Sequence, residues 1–213
     1  MQAVNRFIDV FRSLVRRGAE ACARFLNAIS GGKLSPNAIT LFGFFMHIPI
    51  ALLIARGYFI YAAILLIVFG LFDTLDGSLA RLQNRSSKFG MLLDSVTDRM
   101  KEVLIYIGIG YYFVSFARPY YAVWAIAACG AGLLVSYINA WGEVVTKDLK
   151  ESHETNKAFR GGIMSFDVRM FTIVVGLLTG YIAPAVIIIA ILSCLTALDR
   201  LSRISQRLLH AQD

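Results

Sequence analysis

Apolar stretches long enough to cross a bilayer recur along most of this chain, over about 37–56, 58–80, 91–117, 120–145, 163–181 and 183–199. Some 20 apolar residues at a rise of 1.5 Å each span a hydrocarbon core of about 30 Å. Inside lipid the backbone must satisfy its own polar groups, so runs of this kind fold as helices. With 57% hydrophobic and only 16% charged residues in 213, the chain falls in the membrane class and is long enough for one compact domain. The expectation is an all-α integral membrane protein. A single domain covers 1–213, with six transmembrane helices bundled over 37–199 and a cytoplasmic tail over 200–213.

Basic residues crowd the N-terminal segment, the connection between the second and third spans, the loop after the fourth (Lys147, Lys150, Lys157, Arg160) and the tail (Arg200, Arg203, Arg207). The other three connections hold only Arg56 and Arg118. The positive-inside rule then puts both termini and the second-to-third connection on the cytoplasmic side of the cell membrane. Over residues 3–29, Val4, Phe7, Ile8, Phe11, Leu14, Val15, Cys22, Phe25, Leu26 and Ile29 repeat at helical spacing opposite arginines. That pattern predicts an amphipathic interfacial helix ahead of the bundle, without the cleavage site of a signal peptide. A net charge of +7 suits anionic lipid heads, and no pattern for nucleic-acid readout accompanies it.

Four aspartates sit in this apolar setting with fixed neighbours: Asp73-x2-Asp76-Gly77-x2-Ala80-Arg81-x8-Gly90-x3-Asp94-x3-Asp98. A charged residue near the bilayer centre costs about 2.5–3.5 kcal/mol on insertion scales, so the cluster demands a neutralising partner. Positions three or four apart share a helix face, which pairs Asp73 with Asp76 and Asp94 with Asp98 and makes a four-carboxylate cage if the two helices pack. Hard oxygen donors suit Mg²⁺ or Mn²⁺. Cys22, Cys129, Cys194, His47, His153 and His210 are scattered, leaving neither a disulfide framework nor a soft-metal site. Gly77, Ala80 and Gly90 leave room for a backbone or ligand to approach, and the planar fork of Arg81 suits a phosphate. Surface salt bridges to Arg81, Arg85, Lys88, Arg99 and Lys101 are the plain alternative, but they do not require the small residues. Ion transport, a second alternative, predicts broken midplane helices and inverted repeats, which the chain lacks.

The string DTLDGSLARLQNRSSKFGMLLDSVTD resembles the signature of the CDP-alcohol phosphotransferases, membrane enzymes that make phospholipid headgroups, and every signature position is present. Weaker likeness covers Ser35-Pro36-Asn37-Ala38-Ile39-Thr40 and Leu195-Thr196-Ala197-Leu198-Asp199-Arg200. The resemblance implies attack of an acceptor hydroxyl on the lipid-side phosphorus of a CDP-linked lipid, with CMP leaving and a homodimer as the assembly. It implies a pair of Mg²⁺ or Mn²⁺ ions on Asp73, Asp76, Asp94 and Asp98, with Asp98 as general base. Asp73, Gly77, Ala80 and Arg81 would bind the nucleotide portion, with Lys88 and Thr40 adding contacts. For Pro36 and Thr40 a helix start, capped by Ser35, explains the residues equally well.

The acceptor side departs from the pattern of the phosphatidylinositol-phosphate synthases, the group this chain most resembles. Their Ser-Tyr-Ile-Lys-Ala-Arg-Ala-Glu has Asn139 and Trp141 here at the lysine and arginine positions, and their Gly-x-x-Glu-Arg-Pro-Glu-Arg-Leu keeps only its second arginine, Arg169. Arg169, Asn139 and, from the loop, Arg160 are the acceptor candidates. Glycerol phosphate and uncharged or zwitterionic alcohols stay open beside inositol phosphate.

Overall fold

The computed structural model describes residues 18–70, 72–146 and 163–210. Among these the regular structure is helical: α1 over 18–29, α2 (Pro36–Ala55), α3 (Phe59–Gly70), α4 (Phe72–Leu82), α5 (Lys88–Ser115), α6 (Pro119–Val145), α7 (Phe166–Thr179) and α8 (Ile182–His210). The chain divides into two compact units, Met1–Leu52 with Ile64–Leu104, and Leu53–Ala63 with Ile105–Asp213.

The first unit is built around α4, whose buried face carries Leu75, Asp76, Ser78 and Leu79. Leu75 and Leu79 form a core with Ala23 of α1 and Ile39 of α2, with Leu26, Leu34 and Phe72 packed against it. The link from α1 to α2 turns at Gly31 and Gly32, whose φ of 57° and 74° is the left-handed region glycine enters freely. Pro36 then opens α2 at the position where its missing N–H costs nothing. Gln83, one residue past α4, ties this link down by donating from Nε2 to Asn27 Oδ1 (2.9 Å) and to the Leu34 carbonyl (3.0 Å). Ser87 caps α5, accepting the Gly90 N–H on its Oγ at 3.0 Å.

In the second unit α6 and α7 each pack on α8. The buried face of α6 is made of small residues, Ala122, Ala125, Ala128, Ala131 and Gly132, with Val135 and Gly142, a composition that lets helix backbones come close. Two glycines set the limit of approach. A methyl added at Gly176 of α7 would lie 2.7 Å from Ala185 Cβ and 3.4 Å from Ile182 Cα on α8. One added at Gly142 would meet Ile204 Cδ1 at 2.6 Å. The first obstacle is fixed to backbone and the second is the tip of a flexible side chain. Gly176→Ala is therefore expected to cost about 1–3 kcal/mol, seen as a lowered thermal midpoint in detergent, and Gly142→Ala clearly less. Equal midpoints for the two variants would contradict this packing.

Four helical segments are long and apolar enough to cross a membrane: Pro36–Ala55, Phe59–Leu82, Pro119–Val145 and Ile182–Leu209. They coincide with the first, second, fourth and sixth expected spans. The third falls on α5, whose first half carries Lys88, Asp94, Asp98, Arg99, Lys101 and Glu102, so its uncharged part measures only about 20 Å. The fifth falls on α7, which at 14 residues is about 21 Å long. The last helix runs on beyond the sixth expected span, and α8 continues to His210. Asp199 accepts from Arg203 Nε at 3.0 Å, and Ile204 is buried, so residues 200–210 of the expected tail are helical and carry an inward apolar stripe. Of the amphipathic helix expected over 3–29, residues 18–29 are helical and the rest lies outside the described residues.

Candidate active site

The aspartates gather in the first unit. Asp73 and Asp76 lie on α4, Asp94 and Asp98 on α5, and the charges of Asp98, Asp76 and Asp73 all act on Asp94. Asp76 is 5% exposed and accepts a hydrogen bond on Oδ2 from the Thr40 hydroxyl of α2 at 2.5 Å. That hydroxyl also lies 3.3 Å from the Pro36 carbonyl, so the helix start at Pro36 and the aspartate contact belong to one arrangement. Thr40 thus belongs to the helix start and also reaches the aspartate cluster.

A residue given no catalytic part by sequence reasoning lies at the centre. Lys101, 2% exposed, extends from α5 to place Nζ 2.5 Å from Asp73 Oδ1 and 3.2 Å from Asp98 Oδ1. Asp73 and Asp98 keep side-chain exposures of 26% and 17%, so the open side of the cluster lies along these two carboxylates. Beside them Glu102 is fully buried, with Arg99 3.6 Å away. The sequence signal for Lys101 was its spacing, three residues after Asp98 and seven after Asp94 on one face of α5.

The small residues do separate things. A methyl at Gly77 would make an ordinary contact of 3.5 Å with Arg81 Nη1, so the guanidinium folds back over α4 beside Gly77 without requiring a glycine there. Arg81 is exposed and donates from Nη2 to Ser78 Oγ at 3.1 Å, while Ser78 donates to the Thr74 carbonyl at 2.8 Å. Ser78 thus aims the arginine, a part sequence reasoning did not assign. A methyl at Gly90 would meet both Asn37 Oδ1 and Ser87 Oγ at 3.3 Å, so this glycine serves the close approach of α2 and the cap. Ala80 is half-buried on α4, and Lys88 is exposed as the first residue of α5.

The donor set is all oxygen, of the kind that hard divalent cations take. Asp94 Oδ1 is buried and has no hydrogen-bond partner, an expensive condition that a bound cation would relieve. Lys101 already supplies one positive charge between α4 and α5. With Asp73 and Asp98 turned to that ammonium and Asp76 to Thr40, no group of three or more His, Cys, Asp and Glu is assembled to hold an ion among the described residues. The residues fit a divalent cation in kind, and the side chains of Asp73, Asp76 and Asp98 are held by other partners.

The acceptor candidates belong to the second unit. Arg169 of α7 is fully buried, donates from Nη1 to the Met164 carbonyl at 3.0 Å and lies 6.0 Å from the centre of the Phe166 ring. Met164 N–H in turn donates to Thr196 Oγ1 at 3.2 Å, which anchors the start of α7 on α8. Arg200 of α8, expected only as a tail residue, is 6% exposed, donates to the Val135 carbonyl at 3.4 Å and lies within electrostatic range of Arg169; its Nε is buried without a hydrogen-bond partner. Asn139 donates to Glu143 Oε1 at 3.4 Å and has a buried, unpartnered Oδ1. Trp141, at the other departing position, is 51% exposed beside Tyr137. Arg160 lies outside the described residues.

A family model described as CDP-alcohol phosphatidyltransferase matches residues 33–198, which takes in the Pro36 start, the aspartate cluster and most of α8. Among curated proteins, the chain is 33% identical over 163 residues to a phosphatidylinositol phosphate synthase of Corynebacterium glutamicum, covering 75% of this chain and 70% of that one. It is 30% identical over 208 residues to an archaetidylinositol phosphate synthase of Methanothermobacter thermautotrophicus, covering 94% and 98%. In fold it is similar to the phosphatidylinositol phosphate synthase of Mycobacterium tuberculosis. The TM-score is 0.74 to the form with CDP-DAG bound, at 22% identity over 88% of this chain and 94% of that one. It is again 0.74 to the complex with manganese and citrate, at 22% identity over 87% and 88%. The complete aspartate signature, the extent of the family match and the relatives at 30% identity and above carry one conclusion: this chain belongs to the CDP-alcohol phosphatidyltransferase family.

Proposed function

We propose that the chain moves a phosphatidyl or similar lipid phosphoryl group from a CDP-linked lipid to the hydroxyl of a polar alcohol, releasing CMP, with an acceptor of the inositol-phosphate kind. The observation that carries this reading is the gathering of Asp73, Asp76, Asp94 and Asp98 from α4 and α5 around one buried ammonium, beside Thr40 and Arg81. The relative from C. glutamicum and the structure solved with CDP-DAG support the choice of donor and acceptor class.

Asp73, Asp76, Asp94 and Asp98 would hold Mg²⁺ or Mn²⁺, as a pair of ions, and the structure solved with manganese supports that choice. Ions held there would supply neutralisation of the charge that develops on the diphosphate. Arg81, aimed by Ser78, binds a diphosphate oxygen, with Gly77 and Ala80 leaving space for the cytidine and Lys88 adding a cation at the rim. Asp98 takes the proton of the acceptor hydroxyl. It is suited to this because it is the more shielded of the two aspartates on Lys101 and its contact there, at 3.2 Å, is the looser one.

Arg169, Asn139 and Arg160 bind the acceptor, and to them we add Arg200, buried beside Arg169. Asn139 and Trp141, standing where the resembling synthases have lysine and arginine, favour a second reading in which the acceptor is glycerol phosphate or an alcohol without net negative charge. Six spans rather than four, an interfacial helix over 3–29, a homodimer, and a cytoplasmic face of the cell membrane for the active site complete the reading. Long α5 reaches the bilayer with its uncharged half, and basic residues cluster in the segments expected to be cytoplasmic.

Product identification settles the acceptor. Protein supplied with CDP-diacylglycerol and, separately, inositol phosphate, glycerol phosphate, inositol or serine is expected to yield a new phospholipid by mass spectrometry with inositol phosphate. A product with inositol or serine instead would overturn the choice of a phosphorylated acceptor. Arg169→Ala is expected to raise the acceptor KM by about 10–100-fold, the equivalent of a lost charge-assisted hydrogen bond of 1.5–3 kcal/mol, with the KM for CDP-lipid nearly unchanged. Equal changes in both constants would make Arg169 a structural residue.

A further inference from the structure

We propose that Lys101 is a tethered cation that holds the Asp73 and Asp98 carboxylates together and competes with divalent ions for them. The proposal rests on the active-site reading above and goes beyond it by giving Lys101 a part. Its ammonium is 2% exposed and contacts one carboxylate from each of the two helices that carry the signature, 2.5 Å to Asp73 and 3.2 Å to Asp98. A lysine placed there cannot be a solvated surface charge, and an ammonium of three donors matches acceptor-only carboxylates.

The same oxygens cannot serve an ammonium and a divalent ion at close range without strong like-charge repulsion. Either Lys101 moves when the ions enter or the ions do not bind where Asp73 and Asp98 now point. Movement is available, since lysine has a flexible four-carbon stem, and the two carboxylates it would release are the two partly exposed ones. Asp76 and Asp94 are set differently. Asp76 is fixed by Thr40, and Asp94 leaves a buried oxygen without a partner, so the cluster keeps one acceptor poised while Lys101 occupies the others. The consequence is a site that holds its shape in the absence of metal at the expense of metal affinity.

The test is Mn²⁺ binding, followed by electron paramagnetic resonance of free Mn²⁺, to purified wild type, Lys101→Met and Lys101→Gln without CDP-lipid. Thermal midpoints are measured in parallel with and without chelator. The glutamine variant keeps a hydrogen-bond donor toward the carboxylates and covers the case in which the methionine variant fails to fold. Either neutral variant is expected to bind Mn²⁺ about tenfold more tightly than wild type, because no ammonium has to leave. Its midpoint in chelator is expected to fall below wild type and to recover with Mn²⁺. Wild type that binds Mn²⁺ while the neutral variants bind no more tightly overturns the role of Lys101 alone. No Mn²⁺ binding by any of the three overturns the metal reading of the aspartates and this inference with it.

Discussion

Asp98→Asn lowers kcat by about 10²–10⁴-fold, the range a positioned general base contributes, while metal-dependent CDP-lipid binding is kept in part. Asparagine keeps the shape of the side chain, so α5 is not disturbed. Lys101 keeps its contact with Asp73, and the carboxamide oxygen remains within reach of Nζ, so the fold should hold. What is lost is the capacity to accept a proton from the acceptor hydroxyl. Turnover is read as CMP release and lipid binding as retention of labelled CDP-diacylglycerol in detergent. Turnover within tenfold of wild type would remove Asp98 from the proton transfer.

Asp76→Asn acts at a different point. Asp76 is 5% exposed and its carboxylate receives the Thr40 hydroxyl on Oδ2 and a hydrogen bond from the Gly77 backbone, which hold it in place in the cluster. Substituting a neutral amide removes a hard anionic donor from the most buried of the paired positions on α4. Losing even an outer-sphere partner commonly weakens metal binding 10–100-fold, so a direct ligand should lose at least about 100-fold in Mn²⁺ affinity, and metal-dependent CDP-lipid binding with it. The two aspartate variants are thus separable by the order of their losses: Asp98→Asn keeps part of its donor binding, because a carboxylate that acts as base must be only weakly engaged with the ions, and does not turn over, whereas Asp76→Asn fails at binding. Wild-type Mn²⁺ affinity in Asp76→Asn would place the ions elsewhere.

Local spacing made much of this legible. Pro36 after Ser35 marks the start of α2, and the i, i+3 and i, i+4 placement of Asp73 with Asp76 and Asp94 with Asp98 puts each pair on one helical face, as found. Hydropathy marked four of the spans. It marked α5 and α7 as well, but charge in the first half of α5 and the 14-residue length of α7 leave both outside the segments that length and composition alone mark as crossing. The fall in hydropathy after residue 199 marks where the apolar run stops and not where α8 stops, because the stripe through Ile204 still packs at Gly142. Lys101 and Arg200 were visible as basic residues and their depth was not. Burial depends on which helix lies opposite, and no periodicity along one segment encodes the approach of Asp73 to Lys101 or of Val135 to Arg200.

The central claim is metal-dependent transfer from a CDP-linked lipid. Its most direct measurement is CMP release by the purified protein from CDP-diacylglycerol with inositol phosphate, before chelation, after chelation and after return of Mn²⁺. The account predicts release that requires acceptor, stops on chelation and returns with Mn²⁺. Release that continues undiminished in chelator, or CDP-lipid bound in a metal-dependent way with no CMP formed from any acceptor, would contradict it.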